Sequence, residues 1–110
     1  MRALLKSTLA LVAVSALVLP VSAGTLEDVK SRGELRCVVS TGINGFAYPD
    51  ESGTWKGFDI DFCRATAAAV LGSASKIKAV TSTGKTRFTK LNSGEGDVLW
   101  RNTTITFSRD

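Results

Sequence analysis

The sequence predicts an α/β domain built on a mostly parallel sheet with helices on both faces. Three observations predict it. Short apolar runs at residues 35–40, 76–80 and 97–100 read as strands. The segments between them carry helical patterning, which points to βαβ units. Glycines stand where those helices should stop, at Gly33, Gly72 and the Gly94/Gly96 pair.

Taken in order, Thr25-Leu26-Glu27-Asp28 resembles a capping box, so residues 25–32 are predicted as a short helix closed by Gly33. Leu35 to Ser40 is the first strand, with Val38 and Val39 at its centre. Thr41 to Gly53 holds Gly42, Gly45, Pro49 and Gly53 and is predicted as a loop. Trp55 to Phe58 is a brief extended piece. Asp59 to Leu71 is a helix, because Ile60, Cys63, Ala67 and Val70-Leu71 fall on one face. Lys76 to Val80 alternates polar and apolar as a second strand. Lys85 to Asn92 is a helix, Asp97 to Trp100 a third strand, and a further helix is predicted from Thr106 onward. In open sheets of this kind ligands sit beyond the carboxyl ends of the strands. That puts Thr41 to Phe46 and Arg101 to Arg109 on one edge.

The amino terminus has a different character. Arg2 and Lys6 precede an apolar run from Leu9 to Leu19, Pro20 breaks it, and Val21-Ser22-Ala23 is a small-residue cleavage site. Residues 1–23 therefore read as a secretory signal peptide cleaved after Ala23, with residues 24–110 as the exported domain. A membrane anchor is the alternative, but the run is well short of the roughly 20 residues a span needs. Arg2 and Lys6 leave with the leader and no acid does, so the net charge falls from +4 to +2. Charges this few and scattered are no footprint for nucleic acid. The chain has no His. That removes the usual general base, the commonest metal ligand and the Ser-His-Asp and Cys-His constellations, so no enzyme and no cofactor is expected.

Cys37 and Cys63, both in the exported part, enter an oxidising compartment. They fit either a disulfide, worth roughly 2–4 kcal/mol, or two buried thiols. Gly84-Lys85-Thr86 follows a strand like a phosphate loop, but Ala79 stands where that motif needs its first glycine.

The carboxyl-terminal stretch carries the chemistry. A buried strand gives way to the hydroxyl-rich Asn102-Thr103-Thr104 and then to Arg109. Backbone groups, threonine hydroxyls and a planar guanidinium can together hold one small anion, and Arg matches a carboxylate bidentately. Read without context, Arg109 is more readily a surface arginine at a helix terminus, and Phe46 is equally core. Asp59 and Asp61 read as acids favoured at the start of a helix by its dipole.

Four segments resemble the first lobe of periplasmic solute-binding proteins of amino-acid ABC transporters (solute-binding family 3). They are the opening helix Thr25 to Gly33; Gly57-Phe58-Asp59-Ile60-Asp61, similar to G-F-D-[VI]-D; Leu91, Ser93-Gly94 and Asp97, similar to L-x-[ST]-G-x-x-D; and Thr104 to Arg109, similar to T-[IV]-T-x-x-R. Asp59 to Ala65 together with Arg101 to Thr104 is most similar to the general L-amino-acid-binding branch. The resemblance implies the first part of lobe 1 of a type II periplasmic-binding-protein fold. It implies extracytoplasmic binding of free L-amino acids for uptake through a membrane permease. Arg109 would grip the ligand α-carboxylate, with Thr104 assisting through hydroxyl and amide. Asn102 would offer its carbonyl to the α-ammonium, Phe46 would be the apolar wall, with Ile43 beside it, and Thr83-Gly84 would line the pocket. Gly96 and Trp100 depart from the branch's usual residues. The resemblance also implies a truncated sequence, since the chain ends one residue after Arg109 and the second lobe that closes over the ligand is missing. Weak or no binding by this chain alone follows. The other readings on this fold are a receptor's ligand-sensing domain and a dehydratase-like enzyme acting on prephenate or arogenate.

Overall fold

In a computed structural model the described residues are 24–108. The expected signal peptide, Arg109 and Asp110 lie outside them.

The order is α1 (Thr25–Arg32), β1 (Leu35–Ser40), β2 (Tyr48–Pro49), β3 (Trp55–Lys56), α2 (Phe58–Leu71), β4 (Ile77–Ser82), α3 (Arg87–Asn92) and β5 (Val98–Leu99). β1 is the centre of a parallel sheet of order β4-β1-β5, with Cys37 beside Ala79 on one side and Val98 on the other. Because β4 and β5 flank β1 on opposite sides, the chain reverses its direction of winding at the β1/β5 boundary.

Alternation along β1 divides its side chains between two faces. Leu35, Cys37 and Val39 join Val29 of α1 and Ile60, Cys63 and Ala67 of α2 in the buried core, with Trp55, Val70 and Trp100 packed against it. The structure bonds Cys37 to Cys63, with Cα atoms 6.2 Å apart, so strand and helix are tied through the middle of that core. Val38 points to the other face, where α3 packs. There the backbone comes in so close that a Cβ on Gly96 would stand 2.2 Å from Val38 Cγ2. That contact is why a larger residue does not occupy position 96.

Several expectations need correction. Thr25 caps nothing: it is the first helical residue, the N-cap is Gly24, and no side chain caps α1. The region expected as loop up to Gly53 contains β2, which pairs antiparallel with β3 around Asp50. Asp50 Oδ1 accepts the Ser52 and Thr54 N–H groups, and Lys56 pairs with its other oxygen at 2.8 Å. That ammonium holds the Asp50 carboxyl far below the usual range. The second strand starts one residue later and runs on to Ser82, α3 starts only at Arg87, and β5 is just two residues. Residues 101–108 contain no helix, so none begins at Thr106 within the described residues. Gly33 and Gly72 do close their helices, both with left-handed φ of 72°.

Asp97 explains the L-x-[ST]-G-x-x-D segment. Its carboxylate accepts the Arg36 N–H at 2.8 Å and pairs with Arg32, so the end of α1, the start of β1 and the start of β5 meet on one acid.

Candidate ligand-binding edge

The carboxyl ends of β1, β4 and β5 form one rim. Loop 41–47 leaves β1, residues 83–86 leave β4, and residues 100–104 leave β5. The reversal of winding between β1 and β5 opens a crevice at this end. Loop 41–47 is held there by its own backbone. Ile43 and Ala47 bond to each other, and the N–H groups of Phe58 and Asp59 donate to the carbonyls of Gly45 and Phe46 at 2.9 Å. Gly57 permits this docking. Its φ is +115°, and a Cβ there would lie 2.3 Å from Phe46 O. The glycine that starts the G-F-D-I-D segment thus has a steric cause: the loop and the first turn of α2 share the space a side chain would fill.

The expected site residues divide clearly. Phe46 is 42% exposed on the rim, so its ring is not core. Ile43 is also exposed. Thr83 stands at the exit of β4, but its hydroxyl accepts the N–H groups of Lys85 and Thr86 at 3.3 and 3.2 Å and so is spent on starting α3. Asn102 and Thr104 are exposed after β5. The Asn102 carbonyl, expected to await an ammonium, already accepts from Arg87 Nη1 at 2.9 Å. Arg109 falls outside the described residues. Trp100 fills space rather than crowding the rim. Its ring packs against the core and stacks on Phe62 with centroids 5.1 Å apart.

Two residues that sequence reasoning passed over dominate the electrostatics. Arg87 is only 7% exposed, at the first turn of α3 and against the Phe88 ring. Arg101 follows β5 and donates from Nη1 to the Ser82 carbonyl at 2.7 Å and the Ser82 Oγ at 3.2 Å. Its Nη2 reaches Asn102 Oδ1 at 3.5 Å. Asp59, 5% exposed in the first turn of α2, is the acid that acts on Arg101. Burial pushes the Asp59 carboxyl above its ordinary value, opposed by Arg101. Burial pushes Arg101 down, Arg87 adds to that, and Asp59 opposes it. The signal available in sequence was positional: an arginine beyond each of the two strands, β4 and β5, that flank β1 in the sheet.

Residues 35–110 match the family of bacterial extracellular solute-binding proteins, family 3. The chain belongs to that family. It is 52% identical over 111 residues to the general L-amino acid-binding periplasmic protein AapJ of Rhizobium johnstonii, covering 96% of this chain and 33% of AapJ. Among solved structures, a periplasmic binding protein of an ABC transporter from Brucella ovis, with glutathione bound, superposes with a TM-score of 0.76 at 56% identity. That match covers 80% of this chain and 27% of the other. Domain 1 of TmArgBP from T. maritima, in its arginine-bound form, gives a TM-score of 0.66 at 32% identity over 76% of this chain and 63% of that one. The fold is that of type II periplasmic binding proteins, as the sequence implied. The chain spans about a third of the length of the full relatives it matches. Family membership places it outside the cytoplasm.

Proposed function

We propose that this chain binds free L-amino acids in the periplasm, as the first-lobe half of a solute-binding protein that serves an ABC-transporter permease, and that it is not an enzyme. The observation that carries the reading is that the Asn102-Thr103-Thr104 segment leaves β5 at the same end of the sheet where loop 41–47 leaves β1, at the β1/β5 reversal. Arg109 grips the α-carboxylate and Thr104 assists it. Phe46 forms the apolar wall and Thr83-Gly84 the far side. Asn102 gives its carbonyl to the α-ammonium only by sharing it with, or taking it from, Arg87. The exported form is residues 24–110, freed by cleavage after Ala23. A second lobe closing by a hinge would supply the remaining contacts and the affinity.

Calorimetric titration of the exported chain with the twenty amino acids tests this. Saturable binding weaker than micromolar is expected, and Arg109→Met should abolish it. Micromolar affinity would overturn the need for a second lobe. Retained binding in Arg109→Met would overturn the carboxylate assignment, and no saturation with any amino acid would overturn binding by this chain without a second lobe.

A further inference from the structure

Helix α2 is apolar on two opposite sides. Ile60, Cys63 and Ala67 face the core. Phe58, Phe62, Ala65 and Ala69 recur on the other side and are all exposed, Phe58 to 60% and Phe62 to 43%. At 3.6 residues per turn these four fall in one stripe about 60° wide. The two rings lie together, with centroids 4.8 Å apart. Beside them is a cavity of about 250 Å³ lined by Phe58, Asp61, Phe62 and Ala65. A helix that is apolar all round is ordinarily a covered helix, and exposed aromatic surface marks a contact.

Size is ordered along the stripe. Rings fill its amino-terminal half and methyl groups its carboxyl-terminal half. A copy of the same helix laid on it in the reverse direction sets Phe58 against Ala69 and Phe62 against Ala65, from each chain to the other. A copy laid in the same direction sets ring against ring. The surface is therefore complementary to itself about a two-fold axis. Charge does not oppose the pairing. The stripe carries none, and Asp61 on its flank is paired with Arg64 of its own chain at 3.3 Å. In the reversed register Asp61 stands opposite Thr66 of the second copy, not opposite another acid.

We propose that this face of α2 is the interface of a two-fold dimer, its occupant being a second copy of this chain with the two helices antiparallel. The proposal uses no residue assigned to the ligand and stands apart from the amino-acid reading. Two phenyl side chains of about 200 Å² each, at these exposures, leave about 200 Å² of ring surface per copy to be covered. Even with the alanines added, that is the low end of interface size, so the dimer is weak, with a dissociation constant on the order of 100 μM.

Sedimentation equilibrium of the exported chain, over concentrations that bracket this value, tests the proposal, and a monomer–dimer equilibrium is expected. Ala65→Arg alters an exposed position and puts a charge in the seam. It should weaken the dimer by about tenfold or more while leaving the urea midpoint of the monomer unchanged. In a mixture of 13C-labelled and unlabelled chains, isotope-filtered NOE spectra should connect the Phe58 ring to the Ala69 methyl. Within one chain these positions are about 16 Å apart along the helix, so only a second copy can give that cross-peak. A chain that stays monomeric throughout would overturn the proposal and leave the face to a different occupant, such as further residues of a longer protein. A dimer indifferent to Ala65→Arg would overturn the assignment to this face. A dimer sensitive to Ala65→Arg but lacking the Phe58–Ala69 cross-peak would overturn the antiparallel register.

Discussion

The two ends of the sheet treat charge in opposite ways. At the amino end, Asp97 gathers Arg32 and the Arg36 N–H onto one carboxylate, and acid matches base. At the carboxyl end, Arg87 and Arg101 rest on neutral oxygens, and the nearby acid is left with an unpartnered oxygen. A cavity lined by Thr25, Asp28, Arg32, Asn92 and Asp97 sits at the amino end, and within it Arg32 is already paired with Asp97. The lesson is that satisfied charge marks scaffold. Charge left waiting marks the place where something else completes it.

Breaking the amino-end clasp should produce the largest effect. Asp97→Ala leaves the Arg32 guanidinium and the Arg36 N–H without their partner, in a place where the Asp97 side chain is nearly buried. A loss of about 3 kcal/mol is expected, read as a lower midpoint in urea unfolding. Arg101→Gln at the other end should cost less than about 1 kcal/mol, because it removes a charge that no acid pairs within the fold. Equal losses in the two variants would erase the contrast.

An effect between these two is expected from Gly96→Ala. The new methyl would meet Val38 Cγ2 at 2.2 Å on a fully buried strand residue, so β5 must shift, at about 1–3 kcal/mol. Thermal unfolding would show it, and an unchanged Tm would mean that the close approach is not rigid.

The smallest effect concerns Asp59. Its folded carboxyl sits above the ordinary 3.8 because burial disfavours the charged form. Between that raised value and 3.8 the folded state holds more protons than the unfolded one. This group's contribution therefore improves as pH falls through that window and is lost as pH rises. Asp50, held low by Lys56, contributes the opposite slope: stability present above 3.8 and lost as pH falls below it. Subtracting the unfolding free energies of Asp59→Asn and the parent chain across pH isolates Asp59. The variant should match or exceed the parent near neutrality by up to about 1 kcal/mol, with the gap closing in acid.

Much of the fold was legible because long elements carry strong periodic signals. The apolar face of α2 at Ile60, Cys63 and Ala67, and the buried run of β1, are examples. Two-residue strands such as β2 and β5 carry almost no pattern, so the hairpin around Asp50 was missed and β5 was drawn too long. The capping box at Thr25 failed because the helix begins on Thr25 itself, one residue earlier than a cap allows. At the rim, strand topology alone put loop 41–47 and residues 101–104 at one end of the sheet. Arg87 and Arg101 stayed hidden because each is a lone arginine in sequence, and only the parallel packing of β4, β1 and β5 brings them to one asparagine.

The central claim is that the carboxyl edge takes the amino acid and the amino-edge cavity does not. Backbone amide shifts of the labelled chain under saturating L-glutamate test it directly. The account predicts changes at Ile43 to Phe46, at Thr83-Gly84 and from Arg101 to Thr104, with Thr25, Asp28, Arg32 and Asn92 unmoved. Changes confined to that second group would contradict it.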